Sequence, residues 1–204
     1  KGRQRQFHQF GVEAFGSNNP EQDVEIIAIA WKILSLCGLA NDTTLNLNSI
    51  GSKECRNNYR TALKDYLSPY IKDFSKTSQH RFDTNPLRIL DTKSEKEQEI
   101  LNDAPKISDY HNKTDSTHFE SLKEFLKDMD LPFSINHKLV RGLDYYTGTV
   151  FEFNSDNLGA QDALLGGGRY NRLVETLGGK PTPGIGFAAG IERFLIAMEQ
   201  SNFD

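Results

Sequence analysis

The segment 139–153, LVRGLDYYTGTVFEF, constrains the fold of this chain more than any other stretch. From Thr149 onward it is a β-branched and aromatic run, which is typical of a β-strand. Arg141 precedes this strand, and its planar, always charged guanidinium suits bidentate binding of a carboxylate or phosphate. The segment therefore predicts an oxyanion site at the entrance of a strand, although an edge strand with surface charge and a buried tyrosine fits the pattern equally well.

Tyr145 and Tyr146 are adjacent in this segment. Successive side chains of a strand point to opposite faces, so in a strand only one of the two could line a given pocket. The other would pack or hydrogen-bond behind it. The sequence therefore predicts different roles for the two tyrosines.

Composition limits the class of protein. The 204 residues fit one domain with a smaller insertion. No stretch approaches the run of about 20 apolar residues that spans a membrane. Cys37 and Cys55 match neither a disulfide framework nor a metal-ligand spacing, which favours a reducing, cytoplasmic compartment. The formal net charge of -4 gives no overall sign of nucleic-acid binding, so any contact with RNA would use local basic clusters.

Residues 3–15 alternate in the manner of a strand. One face carries a cation, an aromatic ring, an amide and a carboxylate, and these belong to Arg3, Phe7, Gln9 and Glu13. Such a face could contact a nucleotide and an amino acid in turn. A solvent-facing strand that merely alternates is the alternative interpretation.

Hydrophobic periodicity predicts the other elements of the core. Apolar residues at spacings of three and four predict a helix over 20–38. The alternating residues 45–50 predict a short strand. The segment 183–190 is predicted to form a glycine-punctuated strand that continues into a helix over 191–200, and its glycine spacing differs from that of a dinucleotide-binding fingerprint.

Residues 52–132 differ from the rest of the chain in their polar, helical character. Two helical stripes of apolar residues are present: Tyr59, Ala62, Leu63, Tyr66, Leu67 and Tyr70 in the first, and Phe119, Leu122, Phe125, Leu126 and Met129 in the second. The pattern predicts a helical insertion within one sheet. The chain then divides into a first core part, 1–51, the insertion, 52–132, and a second core part, 133–204.

Three segments, in this order along the chain, resemble histidyl-tRNA synthetases. Residues 1–16 are similar to the second half of motif 2 of class II synthetases, 139–153 to the histidine-specific signature, and 184–199 to motif 3. The resemblance implies an α+β fold with a class II synthetase-type antiparallel sheet, flanked by helices and carrying a helical insertion. It also implies a catalytic-domain fragment, without motif 1 and the anticodon-binding domain, of a cytoplasmic homodimer.

The resemblance also implies roles for individual residues. Arg141 would be the catalytic cation. The residues that would hold L-histidine are Gln9, Glu13, Arg141, Tyr145, Tyr146, Tyr170 and Gly186. The residues that would hold ATP, together with Mg²⁺, are Arg3, Phe7 and Arg193. Among the histidine ligands, Glu13 would meet the α-amino group, and Tyr146 and Tyr170 the imidazole.

Neighbouring residues would support this site. By the same resemblance, Gly167, Gly168 and Arg169 would line the histidine pocket, and Asp144 would orient Arg141 or a backbone amide. The reaction would proceed in two steps, from histidine and ATP to histidyl-adenylate, and from the adenylate to tRNA(His).

The insertion would clamp the acceptor arm of the tRNA. The basic residues that could meet its phosphates are Lys64, Lys72, Lys76, Arg81 and Arg88. Some relatives place cysteines where this chain has Ser75, Ser78 and Thr92, so we expect no metal on protein cysteines.

A competing hypothesis comes from non-catalytic relatives. Histidyl-synthetase-like folds also serve as regulatory subunits of ATP phosphoribosyltransferase and as tRNA-sensing domains. These relatives typically lose the signature arginine or the residues that hold histidine. This chain retains them, which favours the synthetase.

Overall fold

A six-stranded sheet forms the centre of the fold in the computed structural model, which describes residues 5–142, 144–159 and 162–201. The strands are β1, Gln9–Phe15; β2, Thr43–Ser49; β3, Ser134–Ile135; β4, Thr149–Ser155; β5, Ala163–Arg169; and β6, Gly184–Gly190. They lie in the order β1-β6-β5-β4-β2-β3. All neighbours are antiparallel except β2 and β3, which are parallel.

Seven α-helices flank this sheet in the described part of the chain. They are α1, Pro20–Leu36; α2, Lys53–Leu67; α3, Lys76–Thr84; α4, Glu95–Asn102; α5, Lys113–Asp128; α6, Leu173–Thr176; and α7, Ile191–Gln200. Short 3₁₀ turns occur at Ala40–Asp42, Ile71–Asp73, Pro86–Ile89, Ile107–Tyr110 and Asp156–Leu158. Within the same residues, no helix combines the length and the apolar character needed to cross a membrane.

The architecture confirms the α+β fold class predicted from the sequence. The observed α1, β2, β6 and α7 also confirm the four core elements predicted from hydrophobic periodicity. Pro20 occupies the first turn of α1, where a backbone N–H has no helical partner to lose.

β1 begins at Gln9, so the predicted strand 3–15 is too long at its N-terminal end. The partner strand β6 ends at Gly190, where α7 begins, and the described residues 5–8 therefore lie outside this ladder. Arg3 lies outside the described residues. The predicted alternation is correct, because Gln9 and Glu13 lie on the exposed face while the intervening side chains pack against the core. Those core-facing residues are Phe10, Val12 and Ala14.

The prediction that Tyr145 and Tyr146 point to opposite faces of a strand is wrong. β4 starts only at Thr149, and the two tyrosines precede it in a turn. Gly148 has a φ of 68°, a left-handed conformation that a strand does not contain and that glycine adopts without steric cost. The two rings therefore lie side by side, with centroids 4.6 Å apart.

Two apolar clusters stabilise the fold. The larger one lies between one face of the sheet and the helices α1 and α5, and includes Ile27, Leu34, Leu122, Leu126, Phe151 and Phe187. The second joins α2 to the segments 86–90 and 139–146, and includes Tyr59, Leu63, Leu67, Leu87 and Ile89. The apolar stripe of α5 thus packs on α1, and that of α2 packs in the second cluster. The division of the chain into three parts remains a prediction.

A buried ion pair of Asp23 and Arg169 lies on the helix-covered side of the sheet. The Asp23 carboxylate also accepts a hydrogen bond from Thr149 Oγ1 at 2.6 Å and lies 2.7 Å from His118 Nε2. Arg169 donates in addition to the carbonyl oxygen of Ser17 at 2.8 Å. The network joins the start of α1 to β4, β5 and α5.

We predict that Asp23→Ala destabilises the protein by about 3–5 kcal/mol, because it leaves the Arg169 guanidinium buried without a counter-charge. The control is Glu25→Ala, an exposed position on the same helix, which should change stability by less than about 0.5 kcal/mol. Urea denaturation of the full-length protein that contains this chain measures both. Equal effects of the two substitutions would contradict the prediction.

Candidate active site

The side of the sheet turned away from α1 is almost bare on β5 and β6. Side chains alternate along a strand, and Ile185, Phe187 and Ala189 of β6 belong to the apolar cluster with α1. The residues between them face the other side, which we call the open face. The open face carries glycine and alanine over its central stretch: Gly166 and Gly168 in β5, and Gly184, Gly186 and Ala188 in β6. Side chains from neighbouring segments can therefore lie flat on the backbone.

Glu13 of β1 extends across the open face over Gly186. The two residues are direct partners in the ladder between β1 and β6. A Cβ at position 186 would overlap the Glu13 carboxylate and come within 2.5 Å of the Val12 carbonyl oxygen. Tyr170, which follows β5, donates its phenolic hydrogen to Oε2 of Glu13. The absent side chain and the phenol together fix the position of the carboxylate.

Tyr145, Tyr146 and Tyr170 form an aromatic group beside Glu13. The ring centroids of Tyr145 and Tyr170 are 5.9 Å apart, with the planes at 85°. Burial raises the pKa of Tyr145 and of Tyr170 above the ordinary value of 10.0, and hydrogen bonding to Tyr146 and Glu13 respectively raises each further. Both phenols are therefore neutral hydrogen-bond donors near pH 7.

Arg141 lies on the open face at the boundary of β4 and β5. Its Nη1 is paired with Oε2 of Glu152, and Oε1 of Glu152 accepts a hydrogen bond from Asn154 Nδ2 at 2.9 Å. The guanidinium rests on Gly166, where a Cβ would come within 2.6 Å of the Arg141 Cζ. The Arg141 guanidinium thus lies flat against the sheet and is held there by the Glu152 carboxylate.

Two adjoining cavities border this ion pair. One, of about 360 Å³, is lined by Arg193 among others, and the second, of about 400 Å³, is lined by Arg141. Both are lined by Glu152 and Asp162. Arg193 is anchored through Nη1, which donates to the Ala163 carbonyl oxygen at 2.6 Å. Lys93 and Asp91 also line both cavities, so cations and carboxylates together border a space that can hold a polar ligand.

The structure gathers one group of the residues proposed from the sequence and leaves others apart. The gathered residues are Glu13, Tyr145, Tyr146, Tyr170 and Gly186. Gln9 is exposed at the far end of β1, opposite Gly190. Phe7 precedes β1 and is 59% exposed, and Arg3 lies outside the described residues.

The expectation that Arg169 lines the same pocket as Tyr170 is wrong. Arg169 is only 2% exposed and is paired with Asp23 on the helix-covered side. The reason is strand alternation, because Arg169 directly follows Gly168, which faces the open side.

The expected role of Asp144 is also wrong. Its Oδ1 accepts a hydrogen bond from Asn85 Nδ2 at 2.6 Å, and Glu152 is the carboxylate that orients Arg141. Sequence reasoning gave Glu152 no role. The signal was present, because a glutamate between two buried phenylalanines of one strand must face the opposite side from them.

Side chains of the helical region hold the loop that carries Arg141. Arg88 Nη2 donates to the Gly142 carbonyl oxygen at 2.7 Å, and Arg56 Nη1 to that of Tyr146 at 3.0 Å. These contacts join residues far apart in sequence, and no motif indicated them. Arg88, one of the residues proposed for tRNA phosphates, is thus also part of the support of this loop.

Ser75, Ser78 and Thr92 converge on the buried carboxylate of Glu97. The hydroxyls of Ser78 and Thr92 donate to its Oε2 at 2.7 and 2.5 Å, and the Ser75 backbone N–H donates to Oε1 at 2.7 Å. These hydrogen bonds lower the pKa of Glu97 against the opposing effect of its desolvation. Among the described residues, no group of three or more His, Cys, Asp or Glu side chains could hold a metal ion.

Comparison with known sequences gives consistent matches. The family model described as Histidyl-tRNA synthetase matches residues 1–194. A Histidine--tRNA ligase from a Cyanothece species is 51% identical over 98% of the chain, and one from Anaplasma phagocytophilum is 48% identical over 98%. The alignments cover 47% and 48% of those proteins, so the chain spans about half the length of these curated relatives.

Solved structures agree in fold. The apo histidyl-tRNA synthetase of S. aureus is 40% identical, with a TM-score of 0.77 over 98% of this chain and 49% of that one. An ATP phosphoribosyltransferase regulatory subunit/histidyl-tRNA synthetase from Bacillus halodurans is 22% identical, with a TM-score of 0.60 over 94% and 53%. At that identity the second match shows a shared fold.

We predict that the buried Tyr170 phenol makes stability fall at alkaline pH. Its pKa is raised in the folded state, so its contribution is fully present below 10.0 and is lost as pH rises, because the unfolded chain ionises first. Tyr170→Phe should therefore reduce the loss of unfolding free energy above that pH. Tyr70→Phe, at an exposed position, is the control for loss of a tyrosine hydroxyl outside this site. Identical pH profiles for the wild type and Tyr170→Phe would contradict the prediction.

Proposed function

The chain belongs to the histidyl-tRNA synthetase family, and we propose that the full-length protein containing it activates L-histidine with ATP and transfers it to tRNA(His). The observation that carries the proposal is the arrangement on the open face. A carboxylate and neutral phenols lie at one end, a carboxylate-held arginine lies next to them, and a cavity with a second arginine follows. That order matches an amino acid, its reacting carboxylate and a nucleotide.

We propose that Glu13, which the resemblance assigns to the α-amino group, instead recognises the imidazole ring of histidine together with Tyr170. They are hydrogen-bonded to each other, so both would meet the same part of a ligand. A neutral imidazole has one donor and one acceptor nitrogen, which a carboxylate and a phenol can satisfy together. Tyr145 and Tyr146 would flank the ring, and Gly186 would keep the space open. Gln9, on the same face of β1, would contact the end of histidine that carries the α-amino and carboxylate groups.

ATP would occupy the side of Arg193. Phe7 is an exposed aromatic plate on which adenine could stack, and Arg193 would contribute a cation to the opposite side. Arg3 would meet the phosphates. Mg²⁺ is usually held by one or two carboxylates together with substrate phosphates, and Asp162, which lines both cavities, suits that manner of binding.

Activation would need positioning and charge stabilisation, without a protein nucleophile. A carboxylate oxygen of histidine forms a bond to the α-phosphorus, and the bond to pyrophosphate breaks. Negative charge develops on the α-phosphoryl oxygens, which Arg141 would stabilise while it orients the carboxylate. A hydroxyl of the terminal adenosine of tRNA(His) then attacks the carbonyl carbon and releases AMP.

We further propose a cytoplasmic homodimer in which residues 52–132 contact the acceptor arm of the tRNA. Lys72 and Lys76 are exposed and could meet phosphates. β1 ends the sheet order, so its outer edge is available for another strand of the full-length protein.

Histidine-dependent exchange of labelled pyrophosphate into ATP tests the proposal. Arg141→Ala should lower the exchange rate by about a hundredfold or more, equivalent to about 2.7 kcal/mol of transition-state stabilisation. Arg172→Ala is the matched control, because this arginine is 60% exposed and forms only a 3.8 Å pair with Glu175. Absence of exchange in the well-folded wild type would instead favour a regulatory or tRNA-sensing role.

A further inference from the structure

Arg141 is held in a seat formed by Glu152, Asn154 and Gly166. Glu152 and Gly166 are direct partners in the ladder between β4 and β5. The Glu152 side chain therefore lies next to the space that a side chain at position 166 would fill. The guanidinium fills that space, with the carboxylate at its side.

The carboxylate of Glu152 is itself fixed. One oxygen pairs with Arg141 and the other accepts from Asn154 Nδ2 at 2.9 Å. Asn154 in turn accepts from Asn46 Nδ2 at 2.9 Å. A row of hydrogen-bonded side chains thus runs from β2 across β4 to the arginine, and each member limits the rotamers of the next.

The opposite side of β4 makes this row rigid. Phe151 and Phe153, which flank Glu152, are fully buried against the helices. Rotation of the strand would expose them, so Glu152 cannot turn away from the open face. In contrast, the segment that carries Arg141 is a loop, and its side chain has no strand to orient it.

One donor of the arginine remains available. In the described part of the structure, Arg141 Nε is buried and has no hydrogen-bond partner. Glu152 pairs with Nη1 of Arg141, so the side of the guanidinium that carries Nε remains for an oxyanion. Such a buried donor would be satisfied when a substrate carboxylate or phosphate arrives.

We propose that Glu152 is a positioning residue for the activation step: it holds the Arg141 guanidinium flat on Gly166, with its free donors directed to the substrate. This inference rests on the proposed function for the identity of the reaction, and on the geometry alone for the seat. Asn154 acts one step further away, through Glu152.

Three substitutions in the full-length protein test the seat by pyrophosphate exchange. Glu152→Gln keeps the size but removes the charge, and Gly166→Ala places a methyl group where the guanidinium lies. Each should lower kcat by about tenfold to a hundredfold with a smaller change in the KM for histidine, because a misplaced catalytic group costs that much. Asn154→Ala should have a weaker effect in the same direction.

The matched control for Gly166→Ala is Gly190→Ala. A Cβ at position 190 would meet its nearest neighbours, carbon atoms of the Arg193 side chain, at 3.7 Å, an ordinary contact that does not require Arg193 to move. Thermal unfolding should show one cooperative transition in all four variants, so that a loss of kcat is not a loss of fold. Gly166→Ala in particular should keep its unfolding temperature, because the nearest atoms to a Cβ at 166 belong to the movable Arg141 side chain. A kcat like that of the wild type in both Glu152→Gln and Gly166→Ala would overturn the proposal.

Chemical rescue separates positioning from a general structural role. Free guanidinium ion should restore part of the exchange activity of Arg141→Ala, because the seat can bind the missing group. It should restore none in the double variant Arg141→Ala, Glu152→Gln. Equal rescue in both backgrounds would show that Glu152 does not hold the guanidinium.

A readout that needs no activity makes the two proposals distinguishable. Phenylglyoxal modifies accessible arginines, and peptide mass spectrometry reports the rate at Arg141. Modification should be several-fold faster in Glu152→Gln than in the wild type and unchanged in Gly190→Ala. Unchanged modification in Glu152→Gln overturns the seat, whereas a wild type without histidine-dependent exchange overturns only the proposed function.

Discussion

The small size of the residues on the open face of β5 and β6, glycine and alanine over its central stretch, is the constraint on which the rest of the site depends. Glu13 and Arg141 both lie flat on the sheet, each over a glycine whose Cβ would occupy the same space. Glycine weakens a strand, because it contributes no packing and loses more conformational entropy on folding. The Glu13 and Arg141 side chains occupy the space above Gly186 and Gly166, and they present a polar surface to a ligand.

The helix-covered side supplies the stability that the open face lacks. There the same strands carry Phe187, Leu165 and the fully buried Arg169, which is paired with Asp23. The ion pair reaches the start of α1 and the loop before it, so the C-terminal end of β5 is fixed from behind. Side chains that lie flat on a sheet keep their positions only if the backbone beneath them is rigid, because a shift of the strand would break their contacts.

Sequence reasoning succeeded where a periodic pattern decides the structure. It predicted the exposed face of β1 with Glu13, the helix α1 and the strand and helix around Gly190, since alternation and helical spacing depend only on neighbours. It failed for Arg169 and Glu152, although strand alternation predicts that each faces the opposite side from its neighbour, Gly168 or Phe151. It could not find the contacts of Asp144 with Asn85, because a hydrogen bond across 59 residues leaves no local signal.

The position of Arg141 shows why a motif is not yet a site. The arginine lies on a loop, and the carbonyl groups on either side of the turn accept hydrogen bonds from Arg88 and Arg56 of the helical region. Glu152 then fixes its tip from the sheet. Backbone and guanidinium are thus held by different parts of the chain. Loss of either support would move the charge without removing it, so the helical region and the sheet act as one unit in placing Arg141.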